Sequence, residues 1–138
     1  MSKYEEKIIS LLQSSKIKFE REKRFVDLKN GKYRFDFYVN APCGRAIVEV
    51  NGEQHYYYVS RFYQSRRDFI AAKERDRRKI SYCLANKIPL YIIPYWEVHK
   101  LNSAADLFQP KYLALSRWKN DQDWQEHQKF DKRLKNLI

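Results

Sequence analysis

The chain has 138 residues, 28 of them Lys or Arg against 17 Asp or Glu, for a net charge of +11, and 43% are hydrophobic. That length holds one hydrophobic core, and the scarcity of Gly (3) and Pro (4) excludes a collagen-like, low-complexity or disordered chain. A cation surplus this large, spread along the whole chain and mixed with 11 Tyr, points to a polyanion, above all nucleic acid, because neutralised phosphates release condensed counterions. A membrane partner is the weaker competitor: no apolar run approaches the ~20 residues of a spanning helix, and the opening MSKYEEKIISLL lacks a signal-peptide layout. Cys43 and Cys83 stand far apart, which fits reduced thiols in a cytoplasmic protein better than a disulfide scaffold or a zinc site.

Ser2 to Ser15 reads as an amphipathic helix, with Ser2 as N-cap, Glu5 as its capping-box partner, and Tyr4, Ile8, Leu11 and Leu12 on one face. Glu5 and Glu6 fall in the first turn, where simple helix stabilisation accounts for either. Lys16 to Phe25 alternates loosely and suggests a first strand, and Asn30-Gly31 is a hairpin-type turn signal. The next strand sets Phe35, Phe37 and Val39 on one side and Arg34, Asp36 and Tyr38 on the other. After a turn from Asn40 to Gly44, a third strand carries Ala46, Val48 and Val50 on one face and Ile47, Glu49 and Asn51 on the opposite face.

Past Gly52 the segment Glu53-Gln54-His55-Tyr56-Tyr57-Tyr58 is too polar and aromatic for a core strand. A long basic helix is predicted from about Arg66 to Asn86, its stripe drawn through Phe69, Ile70, Lys73, Arg77, Ile80, Tyr82, Cys83 and Leu84. The apolar run Leu90 to Ile93 then follows a crossover helix and is expected to lie parallel to an earlier strand. Beyond Trp96, Ser103 caps a short helix from Ala104 to Phe108, Pro110 marks a break, and Lys111 to Ile138 reads as further helix bearing Trp118, Trp124 and Phe130. The expected fold is α/β, a mixed central sheet flanked by helices in the order α-β-β-β-α-β. The first 100 residues form its core, and residues 101–138 form a helical extension packed on that core or at a subunit interface.

Asp36 and Glu49 interrupt strands that are otherwise built for burial. A carboxylate in such a place is rarely found unless paired, hydrogen-bonded or metal-bound, and two of them together need a cation or a proton between them. Oxygen ligands of this kind suit Mg²⁺ or Mn²⁺, held by Asp36, Glu49 and the Val50 carbonyl, with no small-molecule cofactor.

The layout RFDFYV, then AIVEVNGEQHY, the basic helix KERDRRKISYC and the strand LYIIPYW resembles the PD-(D/E)XK nuclease superfamily. It is similar in particular to the branch of very-short-patch repair endonucleases and phage-type homing endonucleases with an EDxHD pattern. The resemblance runs from the first helix to Trp96 and implies a restriction-endonuclease-like core. It also implies a metal-dependent endonuclease acting on DNA in the cytoplasm of a bacterial host, encoded by a phage or mobile element. Asp36 and Glu49 then match the motif acids, while Asn51 stands where the motif has Lys and cannot supply a positive charge. In the EDxHD pattern His55 follows the motif acid, an early Glu comes from the first helix (Glu6, or its neighbour Glu5) and a late Asp is Asp76; Gln54 adjoins the set. Asp76 also fits plain pairing with Arg75, Arg77 or Lys79.

Arg34, Arg61, Arg66, Arg67, Lys73, Arg75, Arg77, Arg78 and Lys79 are expected to hold the DNA backbone. His55 is the first candidate for the role that Asn51 cannot fill; Lys73 and Lys79 are plainer as phosphate contacts or solvated charges, with lending that charge as their alternative. Double-strand cutting by a single site takes two passes or two subunits, so a homodimer is compatible. The competing readings are a catalytically inactive nucleic-acid-binding module of the same fold and a subunit of a transposase or packaging assembly.

Overall fold

Strands that alternate apolar and polar residues bury one face, whereas a run that is apolar throughout buries both, and these two patterns build the protein's layers. The computed structural model describes residues 2–41, 44–52 and 65–114. Helix α1 (Lys3–Ser14) is followed by strands β1 (Phe19–Lys23), β2 (Phe35–Ala41) and β3 (Gly44–Asn51), then helix α2 (Arg66–Ala85) and strand β4 (Leu90–Pro94). The four strands lie in the order β1-β2-β3-β4; β1–β2 and β2–β3 pair antiparallel, and β3–β4 pair parallel, as the crossover through α2 requires. The α-β-β-β-α-β order expected from the sequence is the observed one.

The helices take opposite faces. Ile8 and Leu12 of α1 are fully buried with Phe37, Val39, Ala46, Val48 and Val50, while Ile80 and Cys83 of α2 pack with Phe35, Ile47, Leu90 and Ile92. The β3 alternation is the one expected, and β4 is buried at all five positions because both layers cover it. Ser2 caps α1 by accepting the Glu5 N–H at 3.1 Å; the Glu5 carboxylate meets Arg21 at 3.1 Å. Ser65 caps α2 in the same way, accepting the Asp68 N–H at 3.2 Å, and Asn86 closes it.

Two expectations change. Asn30 and Gly31 both have positive φ, but they sit in a 3₁₀ turn within the longer connection from Arg24 to Arg34, so they do not close a tight hairpin. Phe35 does not share a side with Phe37 and Val39: it packs under α2, and they pack under α1. The cause is a local break in alternation across both strands. Glu22 adopts φ 55°, so that Arg21 lies over the Phe37 ring on the α1 side while Lys23 lies over Phe25 and Tyr38 on the α2 side, and Phe35, opposite Lys23 in register, turns with it.

Residues 101–114 pack on the core, one of the two placements expected of the extension. Ala104–Phe108 is a 3₁₀ helix, capped by reciprocal bonds between Ser103 and Asp106, and Pro110–Tyr112 is another. Leu101, Ala104, Leu107 and Tyr112 belong to the α1-side core, and Leu113 bridges to Tyr91 of β4. This part of the expected extension is therefore integral to the core, whereas Trp118, Trp124 and Phe130 lie outside the described residues. Leu107→Ala is expected to lower the free energy of unfolding by ~2–5 kcal/mol, the range for a fully buried leucine. Urea denaturation measures it, and a change within ~0.5 kcal/mol would mark residues 101–114 as an appendage.

Candidate active site

The β2–β3 ladder has Phe37 opposite Val48 as its last pair on this side, whereas β3 stays paired with β4 as far as Asn51 and Pro94. One further step in the same register sets Asp36 opposite Glu49. There the side chains take over from the ladder: the Asp36 N–H donates to Glu49 Oε1 at 3.2 Å, and the Val50 N–H donates to Asp36 Oδ2 at 2.9 Å. Each acid thus satisfies a backbone donor that would otherwise be lost where the strands part. The opening lies at the carboxyl end of β3, between an antiparallel and a parallel neighbour.

Lys79 reaches down from α2 and places its ammonium 2.9 Å from Glu49 Oε1, the two side chains being 12% and 8% exposed. It lies over the Phe35 ring as well, 4.8 Å from the centroid. Burial works against the Lys79 charge, but Glu49, Asp76 and Asp36 outweigh it and hold the ammonium above its ordinary value. Asp36 moves the other way. Burial, reinforced by Glu49 and more weakly by Glu5, pushes its carboxyl from 3.8 up to about 8, against the opposing pull of the Val50 N–H and Lys79. Cys83 lies in the same field, its thiol pushed up to about 12 by burial and then by Glu49.

A small pocket opens here, with Glu49, Asn51, Asp76 and Lys79 among its walls and Phe35, Ile80, Leu90 and Ile92 completing it. The structure therefore brings together Asp36, Glu49, Asn51, Asp76 and Lys79. Of the two α1 acids, Glu5 is the one that bears on Asp36, whereas Glu6 is exposed. His55, Gln54 and Arg61 lie outside the described residues.

The expected DNA contacts divide by burial. Arg34, Arg66, Arg67, Arg75 and Arg78 are exposed; Arg34 meets Glu22 at 3.3 Å, and Arg77 and Arg78 share Glu74 at 3.1 and 3.3 Å. Lys73 is buried, 3% exposed, on the inward side of α2 with Phe69 and Ala72, and Lys79 belongs to the pocket. Helical spacing through Phe69, Ala72, Asp76, Lys79 or Ile80, and Cys83 is the signal that marks Lys79 as inward-facing. The stripe drawn through Arg77 obscures it. Arg21, which ties Glu5 to the sheet, carries no such signal, being one cation among many in β1.

Among the described residues no group of three His, Cys, Asp or Glu side chains stands ready to hold a metal. The Asp36–Glu49 pair nevertheless suits a hard cation that keeps several waters. Asp36 Oδ1 and Glu49 Oε2 receive no hydrogen bond among the described residues, and Val50 is fixed beside Asp36. The raised Asp36 carboxyl reflects burial first and the neighbouring Glu49 second.

No family model matches the chain, and no solved structure matches it. It is similar to an uncharacterized protein, 307L, of invertebrate iridescent virus 6, at 31% identity over 67 residues. The match covers 49% of this chain and 34% of that relative, so it spans about a third of the relative's length. The fold and site define an α/β protein with a four-stranded mixed sheet and a buried carboxylate pair at an opened strand end.

Between about pH 4 and pH 8 the folded protein keeps a proton on Asp36 that the unfolded chain releases, so this residue's contribution to stability falls as pH rises through that window. Asp36→Asn removes the titration and can still accept the Val50 N–H. Its stability relative to the unaltered protein is expected to increase from pH 5 to pH 8, by at most about 1.4 kcal/mol per pH unit. Urea titrations without metal measure the difference, and a flat difference would remove burial and Glu49 as the cause.

Proposed function

We propose that this protein is a metal-dependent DNA endonuclease with a restriction-endonuclease-like core, hydrolysing phosphodiester bonds at the β2–β3 opening. The observation that carries the reading is the Asp36–Glu49 pair facing across that opening with Lys79 2.9 Å from Glu49. Asp36 and Glu49, with the Val50 carbonyl, would hold Mg²⁺ or Mn²⁺, which when bound polarises the scissile phosphate and favours ionisation of water.

The chain's own residues supply the rest. Lys79 takes the role that Asn51 cannot fill, orienting the attacking water and stabilising charge on the pentavalent phosphate. Asp76 and Glu49 keep its ammonium charged despite burial. His55 accepts the proton of the attacking water or returns one to the leaving oxygen, the general acid–base role an imidazole fills. The exposed arginines Arg66, Arg67, Arg75 and Arg78 add backbone contacts without reading bases.

A second reading has its own observation. An ammonium already paired with Glu49 neutralises that acid without a metal, as in a catalytically inactive DNA-binding module of the same fold. Incubating supercoiled plasmid with Mg²⁺ or Mn²⁺ separates the two. The endonuclease is expected to nick or linearise it, with Asp36→Ala abolishing cleavage and Lys79→Met slowing it by ~10²–10³. His55→Ala is expected to slow it by ~10²–10⁴. A folded protein that binds the plasmid but leaves it intact in both metals supports the binding module instead.

A further inference from the structure

On β3, Ile47 and Arg45 follow Glu49 on the same side of the sheet, since alternate residues share a face. Arg45 lies four residues from Glu49, about 13 Å along the strand. This end of the sheet carries a shallow groove lined by Lys18, Glu20, Lys23, Tyr38, Asn40 and Arg45. The Tyr38 ring is its centre. The Arg45 guanidinium and the Lys23 ammonium each sit 5.3 Å from the ring centroid, and Tyr38 itself belongs to the α2-side cluster with Ile47.

Three cations, Lys18, Lys23 and Arg45, thus stand against one acid, Glu20, which is 3.8 Å from Lys23. Like charges gathered at one place repel, and an anion is the partner that relieves the repulsion. Cation–π contacts with one ring hold Lys23 and Arg45 in place, so less side-chain freedom is lost when they bind. A ring already engaged by two cations is poorly placed to stack on a base, and the Lys18, Lys23 and Arg45 heads recognise charge rather than sequence. The groove lies at the far end of the strand pair from the carboxylates, with Ile47, buried under α2, between them.

We propose that this groove binds the sugar–phosphate backbone of nucleic acid, as a contact at the end of β2 and β3 remote from the carboxylates. The proposal rests on the reading of the protein as DNA-binding, but not on its cleaving DNA. It also gives nucleic acid a contact distinct from the α2 arginines, two of which already share Glu74.

The test is binding of a fluorescein-labelled DNA duplex and its single strand, by anisotropy, in EDTA so that no metal-dependent cleavage occurs. The unaltered protein is compared with Lys23→Gln/Arg45→Gln and with Lys87→Gln, which removes one cation beyond the C-terminal end of α2. Thermal melting verifies that each variant is folded. The groove variant is expected to show a shallower slope of log Kd against log salt. The decrease is about 0.9 for each phosphate it no longer neutralises on duplex, or about 0.7 on single strand, with Lys87→Gln unchanged.

An unaltered slope and affinity in the groove variant overturns the proposal. So does an equal loss in Lys87→Gln, which would mean diffuse net charge. Failure of the unaltered protein to bind DNA overturns both the groove and the endonuclease. A protein that binds through the groove yet cuts nothing in Mg²⁺ or Mn²⁺ keeps the groove and loses the endonuclease. One that cuts while the groove variant binds normally does the reverse.

Discussion

Two carboxylates opposite each other in a nearly dry sheet are the constraint on which the site is built. Charged and unpaired, they would repel across the gap with little water to screen them. The protein answers in three ways at once. The ladder opens, so that each acid accepts a backbone N–H; Lys79 is brought down onto Glu49; and Asp36 keeps a proton to about pH 8. None of these devices would be needed if either position held an apolar residue. A buried ion pair is usually no more stabilising than well-packed hydrophobic residues of similar size, so the arrangement is poorly explained by stability alone.

The layers around the site follow from the same geometry. β3 is paired on both sides for most of its length, but at Glu49 it loses β2 while keeping β4. An acid can project there without breaking the central pairing. α2 covers the gap, and the residues that seat it, Ile80 and Cys83, flank Lys79 at helical spacing. From the other face, Arg21 ties Glu5 to β1 and brings a third acid within electrostatic reach of Asp36.

Much of this was legible in the residues, and the exceptions have definite causes. Alternation placed Ala46, Val48 and Val50 against Ile47 and Glu49 correctly, because β3 is central and regular. Alternation failed at Phe35, since a left-handed Glu22 in the neighbouring strand switches the facing of both chains and nothing in Glu22 itself announces a positive φ. The parallel sense of β4 was readable because a crossover helix constrains the next strand, whereas the opening of the ladder was not, being a property of two side chains competing with backbone acceptors. Residues 101–114 read as part of an extension packed on the core or at a subunit interface, and Leu101, Leu107 and Tyr112 fill the α1-side core.

Lys79 is the most instructive case. In the run Lys73 to Lys79 every residue is charged, so hydropathy alone does not distinguish the inward from the outward face. Position does. Asp76 and Lys79 fall between Ala72 and Cys83 on the packed side, while Arg75 and Arg78 fall outside. That Lys79 comes from a helix rather than a strand has a physical consequence. A strand lysine would share the rigidity of the sheet, whereas Lys79 is held in register with Glu49 only as long as α2 stays seated through Phe69, Ile80 and Cys83. The charge balance of the carboxylate pair is thereby coupled to the packing of an entire layer. A substitution in the α2 core, far from any proposed chemistry, acts on Asp36 and Glu49 by moving Lys79, the buried counter-charge that α2 brings to Glu49.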